Sequence, residues 1–368
     1  MAPPAPTSDH TLTLGVEEEF LLVDREAHLA SDGPAVTDEV SDPPGQVEHE
    51  LRTCQVESAT EVQTTVEEVT HGLRELRNGL AAEAATRELR LLPSGVPPLA
   101  EDRTLAFTPS PRYQRMAGEF GAVARSALTC ACHVHVAIPD RATGLAVSNR
   151  IRPWLPVLLA LTANSPFHDG DDTGYASWRH VMWGRWPSSG PPPHFESEDH
   201  YESLVDAMLR TGALLDRGMV YWDIRLSEHQ PTLEVRISDV AATVEEAGLL
   251  AVLVRGLAAR AMDEGDAPDG KAGPPPELLR AMLWRGARDG LSGKAVDPED
   301  GDLVPAWHLV DRLVEQVRPH LRQAGDEDFV REVLDRLRQT GSGADRQRAA
   351  FARRRQLTDV VDALAWQV

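Results

Sequence analysis

The chain has 368 residues, 42% of them hydrophobic and 26% charged, which is the composition of a water-soluble globular protein large enough to bury a core without disulfide support. Its net charge of −21 repels phosphate backbones and excludes nucleic acid as an expected partner; a polyanionic substrate such as ATP would need cations brought to its site. Three cysteines, Cys54, Cys130 and Cys132, give no readable disulfide framework, and no apolar run reaches membrane-spanning length, so a reducing, cytoplasmic location without membrane attachment is expected.

The first ten residues, MAPPAPTSDH, lack the basic and apolar regions of a signal peptide and read as a disordered tail. Residues 11–368 read as one domain. A strand is predicted over 12–23, and extended segments over QVEHEL and TCQVES. Apolar residues at three- and four-residue spacing from Val62 to Leu80 predict a helix over 61–92. RYQRMAGEFGAVARSA reads as a second helix, leading into the strand TCACHVHVAI. A long apolar helix is predicted over 142–164, carrying Pro153 and Pro156, and then a long loop over 165–195. A helix around 199–217 precedes two strands, YWDIRLS and PTLEVRISD. Helices dominate the remainder, after a Gly/Pro/Asp-rich linker at about 263–276. Strands and helices mix without strict alternation, which favours an α+β fold with a mainly antiparallel sheet.

Side chains alternate across a strand, so residues i and i+2 share a face. By that rule Glu17 and Glu19 point together while Glu18 points away with Val16 and Phe20. His133 and His135 share a face in CHVHV, as do Glu234 and Arg236 in LEVRI, and the segment around residue 50 adds Glu48, Glu50 and Glu57. A polar strand face ordinarily meets water. Three strands with such pairs describe something else: a carboxylate- and imidazole-rich surface suited to magnesium or manganese, with an arginine able to clamp phosphate. Cys130 and Cys132 fall on the opposite parity from the histidines, which argues against a zinc site and for core positions. No phosphate-cradling glycine loop is present, so a nucleotide would be held by metals, arginines and sheet side chains. In the 165–195 loop Arg179 and Arg185 are candidate anion contacts and Tyr175 a candidate wall of a substrate pocket; the alternative is an ordered connector whose tryptophans cover the core.

These segments resemble the bacterial carboxylate–amine ligases of the glutamate–cysteine ligase type 2 family. The resemblance is carried by TLGVEEEFLLVD, HVHV, LTANSPFHDGDDTGYASWR, RWPSSGPPP and YWDIRLSEHQPTLEVRISD, in order, and covers most of the chain from residue 11 to about residue 260. It implies a glutamine-synthetase-like fold with a curved antiparallel sheet as the active-site face. It implies magnesium, with manganese as a substitute, and ATP as co-substrate. The reaction implied joins L-glutamate, through a γ-glutamyl phosphate, to a small amino acid such as cysteine or a cysteine-sized relative. Glu17, Glu19, Glu50, Glu57, His133 and Glu234 match metal ligands of the family, and Arg236 matches its phosphate-binding arginine. Arg236 and Glu57 are the expected catalytic pair; Arg179, Arg225, Tyr175 and His135 are expected to contact substrate or nucleotide. Two other classes fit the same face: a guanidino-kinase-like phosphotransferase and a non-catalytic binding homologue. The sequence leaves the acceptor amine open, and the oligomeric state as well, a homo-oligomer included.

Overall fold

The computed structural model describes residues 11–100, 105–265 and 273–367; the predicted tail and half of the predicted linker lie outside them. In chain order the first elements are β1 (Leu14–Val23), α1 (Gly33–Glu39), β2 (Gly45–His49), β3 (Gln55–Thr60), α2 (Val66–Thr86) and β4 (Arg90–Leu92). There follow α3 (Pro111–Phe120), α4 (Ala122–Arg125), β5 (Ala131–Ala137), α5 (Arg141–Ile151) and α6 (Leu155–Thr162). The middle of the chain holds β6 (Phe167–His168), β7 (Asp171–Asp172), α7 (Trp178–Trp183), α8 (Glu198–Thr211), β8 (Ile224–Leu226) and β9 (Thr232–Asp239). Last come α9 (Val244–Asp263), α10 (Pro276–Asp289), β10 (Lys294–Val296), β11 (Leu303–Pro305) and α11 (Ala306–Ala324), then α12 (Glu327–Thr340), α13 (Gly343–Arg354) and α14 (Leu357–Leu364).

Among the described residues one seven-stranded antiparallel sheet dominates, in the order β2-β3-β1-β5-β9-β8, with β4 also pairing β1. The alternation read from sequence sets its two faces. Val16, Val134, Val136, Leu233, Val235 and Ile237 point to one side and join a core built with α2, α6 and α9. Helix α9 is apolar nearly all round because it lies between the sheet and α11. The other side of the sheet carries the acids and histidines.

Four predicted helices are shorter or broken: RYQRMAGEFGAVARSA parts at Gly121 into α3 and α4, and the helix around 199–217 ends at Thr211 before the left-handed Gly212. The 61–92 helix begins at Val66, where Thr65 and Glu68 form a reciprocal capping box, and Val62 stays 76% exposed outside it. It ends at Thr86; Glu88 turns into the left-handed region at φ 60°, and Arg90–Leu92 then add to the sheet as β4. The 142–164 helix is broken where Pro153 removes a backbone donor, and a 3-10 turn over Arg152–Trp154 separates α5 from α6.

The 165–195 segment is an ordered connector. It contains the β6–β7 hairpin and α7, and the buried Asp239 ties it to the sheet by accepting hydrogen bonds from Ser165 Oγ at 2.6 Å, Ser177 Oγ at 2.7 Å and the Asn164 N–H at 2.8 Å. Trp183 and Trp186 stack on Tyr221, with ring centroids 4.7 and 5.4 Å away. No helix of the described residues is long and apolar enough to cross a membrane.

Candidate active site on the sheet face

Strand register brings the predicted residues together. Glu17 stands opposite His133, Glu19 opposite Glu57, His135 opposite Glu234, and Arg225 opposite Glu234. Between β5 and β9 the register shifts: the pairs are Cys132 with Ser238 and Val134 with Val235, so Arg236 and Ile237 together face the single His133. This bulge sharpens the local twist and aims the Arg236 side chain at the imidazole, with Nη1 3.5 Å from His133 Nδ1.

Glu17 bridges the two histidines, its oxygens 3.1 Å from His133 Nδ1 and 3.1 Å from His135 Nε2. Burial alone would raise its carboxyl, but the hydrogen bonds and charges of the two imidazoles outweigh that and hold it well below the usual range. Glu19 lies deeper. Burial, and next the charge of Glu50, push it up to about 8, although it accepts a hydrogen bond from the Ala131 N–H at 2.8 Å. Glu57 is raised well above its ordinary value by burial and by the surrounding Glu50, Glu17 and Glu19; Glu50 is raised by burial. Burial and the positive Arg236 push His133 down to about 4, so its ring is neutral. His135 rises: burial opposes its charge, but the hydrogen bond to Glu17 and the charge of Glu234 prevail. Glu234 sits well below the carboxylate range because Arg236 and Arg225 overcome the cost of burying it.

Three ligand groups result, in each of which the ligating atoms lie within 4.8 Å of one another: Glu17, His135 and Glu234; Glu17, Glu57 and His133; Glu19, Glu50 and Glu57. Glu17 and Glu57 each belong to two, so the three positions adjoin in a row. The residues fit divalent metal on two counts. His133 Nε2 is buried without a hydrogen-bond partner among the described residues, 3.9 Å from Glu19 Oε1. Three carboxylates converge where only protons or a cation can relieve their repulsion. The oxygen-rich donor set suits magnesium or manganese.

The other predicted contacts fall at different depths. Arg225 reaches the site and grips Glu234 with Nε at 2.7 Å and Nη2 at 3.3 Å. Arg179 is buried against β9 on the side of the acids, where its charge acts on Glu19, and its Nη atoms donate to the carbonyls of Ile237 at 3.3 Å and Arg236 at 3.2 Å. Tyr175 packs on Trp178, and its hydroxyl accepts from Trp284 Nε1 at 3.1 Å, contacts that lie outside the acid face. Arg185 is exposed beside His168 and Met182. Cys130 and Cys132 are fully buried.

Sequence reasoning passed over two residues. Arg77 lies on the apolar stripe of α2, four residues after Leu73, and binds Glu18 on the far side of β1. Asp223 shares the face of Arg225 by the same alternation that singled out Glu234 and Arg236. The signal for each was there: a charge on an apolar helix face, and an i, i+2 pair in YWDIRLS.

The model of the glutamate–cysteine ligase family 2 matches residues 13–363. A Rhodococcus jostii (strain RHA1) protein named "Putative glutamate--cysteine ligase 2-1" is 50% identical over 370 residues, covering 100% of both chains. A Saccharopolyspora erythraea protein of the same name is 50% identical over 355 residues, covering 95% of this chain and 93% of its own. Among solved structures, the glutamate–cysteine ligase of Francisella tularensis in complex with AMP superposes with a TM-score of 0.71 at 14% identity, covering 96% of this chain and 88% of that one. A bifunctional glutathione synthetase from Pasteurella multocida gives 0.71 at 15% identity, covering 96% and 51%. The fold is the glutamine-synthetase-like ligase fold expected from sequence. Matched along nearly its whole length, the chain is a glutamate–cysteine ligase-like enzyme and belongs to the glutamate–cysteine ligase family 2.

Proposed function

We propose that this enzyme is an ATP-dependent, ADP-forming ligase that joins the γ-carboxylate of L-glutamate to the amino group of a small amino acid, cysteine or one of its size, through γ-glutamyl phosphate. The observation that carries this reading is the row of three ligand groups sharing Glu17 and Glu57, with Arg236 beside it. A carboxylate is a poor electrophile at neutral pH, and phosphorylation supplies the leaving group it lacks. Both reactants are anionic, so the chemistry needs positive charge more than it needs a nucleophile.

Glu17, Glu19, Glu50, Glu57, His133 and Glu234 would hold magnesium or manganese, together with His135, which falls in a ligand group rather than at the substrate contact expected for it. Such ions, when bound, neutralise the phosphates and the incoming carboxylate. Arg236 then meets the phosphoryl oxygens in transfer, and its ion pair with Glu234 fixes where its guanidinium points. Arg225 grips Glu234 from the other edge and keeps that carboxylate in one orientation. Arg179 supports the same stretch of β9 through two carbonyls. Residues 11–368 act as one catalytic unit, and the three free cysteines agree with a cytoplasmic enzyme.

Isotope tracing tests the reading. Oxygen-18 placed in the γ-carboxylate of glutamate should appear in the released phosphate, with one ADP per amide. Release of AMP and pyrophosphate, or phosphate free of label, would overturn it.

A further inference from the structure

Asp223 lies on the acid-bearing face, directly across from Arg236, whose backbone N–H donates to the Asp223 carbonyl at 2.8 Å. Its neighbours Trp222 and Ile224 point into the core, so the Asp223 and Arg225 side chains share the site face. The Asp223 side chain belongs to a residue only 2% exposed, and its Oδ2 has no hydrogen-bond partner among the described residues. It is in none of the three ligand groups and in no ion pair among the described residues. The nearby guanidiniums are committed elsewhere: Arg236 to Glu234, Arg225 to Glu234, Arg179 to the carbonyls of β9. A buried, unpartnered carboxyl is costly, and such a group calls for an explanation.

Amide formation contains a proton that the other residues do not handle. An amino-acid acceptor enters as an ammonium ion, and its nitrogen has no lone pair to attack with. We infer that Asp223 is the proton acceptor of the amide-forming step, taking a proton from the acceptor ammonium as its nitrogen attacks the γ-glutamyl acyl phosphate. The inference rests on the ligase reading above. The C–N bond forms and the C–O bond to phosphate breaks. The departing phosphate keeps that electron pair and takes the second N–H proton. Asp223 returns its own proton to water when product leaves. The charged groups facing Asp223 are Arg179 from α7 and Arg236 from β9. Burial outweighs them and pushes the carboxyl up to about 7, where a base is matched to neutral pH.

The test compares two acceptors in Asp223→Asn. Hydroxylamine is largely uncharged at neutral pH and needs no base, whereas cysteine or another amino-acid acceptor arrives as ammonium. Amide formation should fall on the order of 10²-fold or more at neutral pH, hydroxamate formation far less. The amide deficit should shrink as pH rises toward the amine's own pKa. Equal loss with both acceptors in a variant that keeps its melting transition, no loss with either, or an amide deficit flat in pH would overturn the inference. If Asp223→Asn loses its melting transition, Asp223→Ala with added formate gives the answer: restored amide formation supports the role, and no restoration overturns it. A wild-type enzyme that forms no hydroxamate would remove the ligase reading itself, and the inference with it.

Discussion

Glu18 and Arg77 meet in the core on the opposite side of β1 from Glu17 and Glu19, with Arg77 Nε 2.8 Å from Glu18 Oε2 and neither side chain exposed. Arg77 also donates to the Ala241 carbonyl at 2.8 Å and sits between the rings of Phe20 and Trp366, 5.2 and 5.0 Å from their centroids. The middle acid of the triplet is thus structural. Glu18→Ala leaves a buried guanidinium without its counter-charge and should cost about 3–5 kcal/mol in urea unfolding. A loss near zero would mean that Arg77 finds another partner.

Glu19→Gln should act in the opposite sense on the metal-free fold. It fixes the side chain in the uncharged form that the crowded, metal-free trio already favours, so the apo protein should be as stable as wild type or more so, most clearly toward pH 8 and above. Turnover should fall on the order of 10²–10³-fold, and the magnesium midpoint should move to higher concentration. EDTA should abolish ADP formation in the wild type, and magnesium or manganese should restore it. Wild-type turnover in Glu19→Gln would show that the acid is dispensable.

Metal-free stability should fall with rising pH. Glu19 keeps its proton up to about pH 8 in the folded chain but only to about 4.5 when unfolded. Its contribution is therefore full below the unfolded value and lost as pH rises through the folded one. Glu50 and Glu57 shift the same way. His133, lowered to about 4, acts in the opposite direction, but only below its ordinary 6.5. In EDTA the melting temperature should drop from about pH 6.5 to about 8.5, and magnesium should remove most of that slope. A flat profile in EDTA would count against the crowded acids.

Arg179→Lys separates support from substrate contact. Lysine keeps the charge but cannot span two carbonyls as the planar guanidinium does. The loss of two hydrogen bonds to β9 should lower stability by about 1–3 kcal/mol and reduce kcat with little change in the KM for ATP. A raised KM for glutamate at unchanged stability would show that Arg179 touches substrate directly.

The chemistry of this face was legible because strand alternation is local: Glu17 with Glu19, His133 with His135 and Glu234 with Arg236 need only a period of two. The pairing was not. Nothing near Glu17 in the chain says that it stands opposite His133, 116 residues away. The helix predicted over 61–92 fails for a related reason. Leu89, Leu91 and Leu92 continue an apolar run that a helix would bury equally well, and only the left-handed turn at Glu88 and the vacancy beside β1 make them a strand. Asp223 was legible by the same rule, as an i, i+2 pair with Arg225; its lack of a partner among the described residues was not.

The bulge in β9 makes chain length part of the catalytic design. Before it, even-numbered residues such as Glu234 face the acids; beyond it Asp239 pairs with Ala131 and takes the odd phase, from which it reaches Ser165 and Ser177. Glu234 and Asp239 stand opposite His135 and Ala131, five residues apart on β9 against four on β5. Deleting Ile237 would leave four against four, so both carboxylates would keep their face in regular pairing and only the kink that aims Arg236 at His133 would go. The fold can therefore survive a one-codon deletion here while phosphoryl transfer does not, which separates what this strand needs in order to pack from what it needs in order to react.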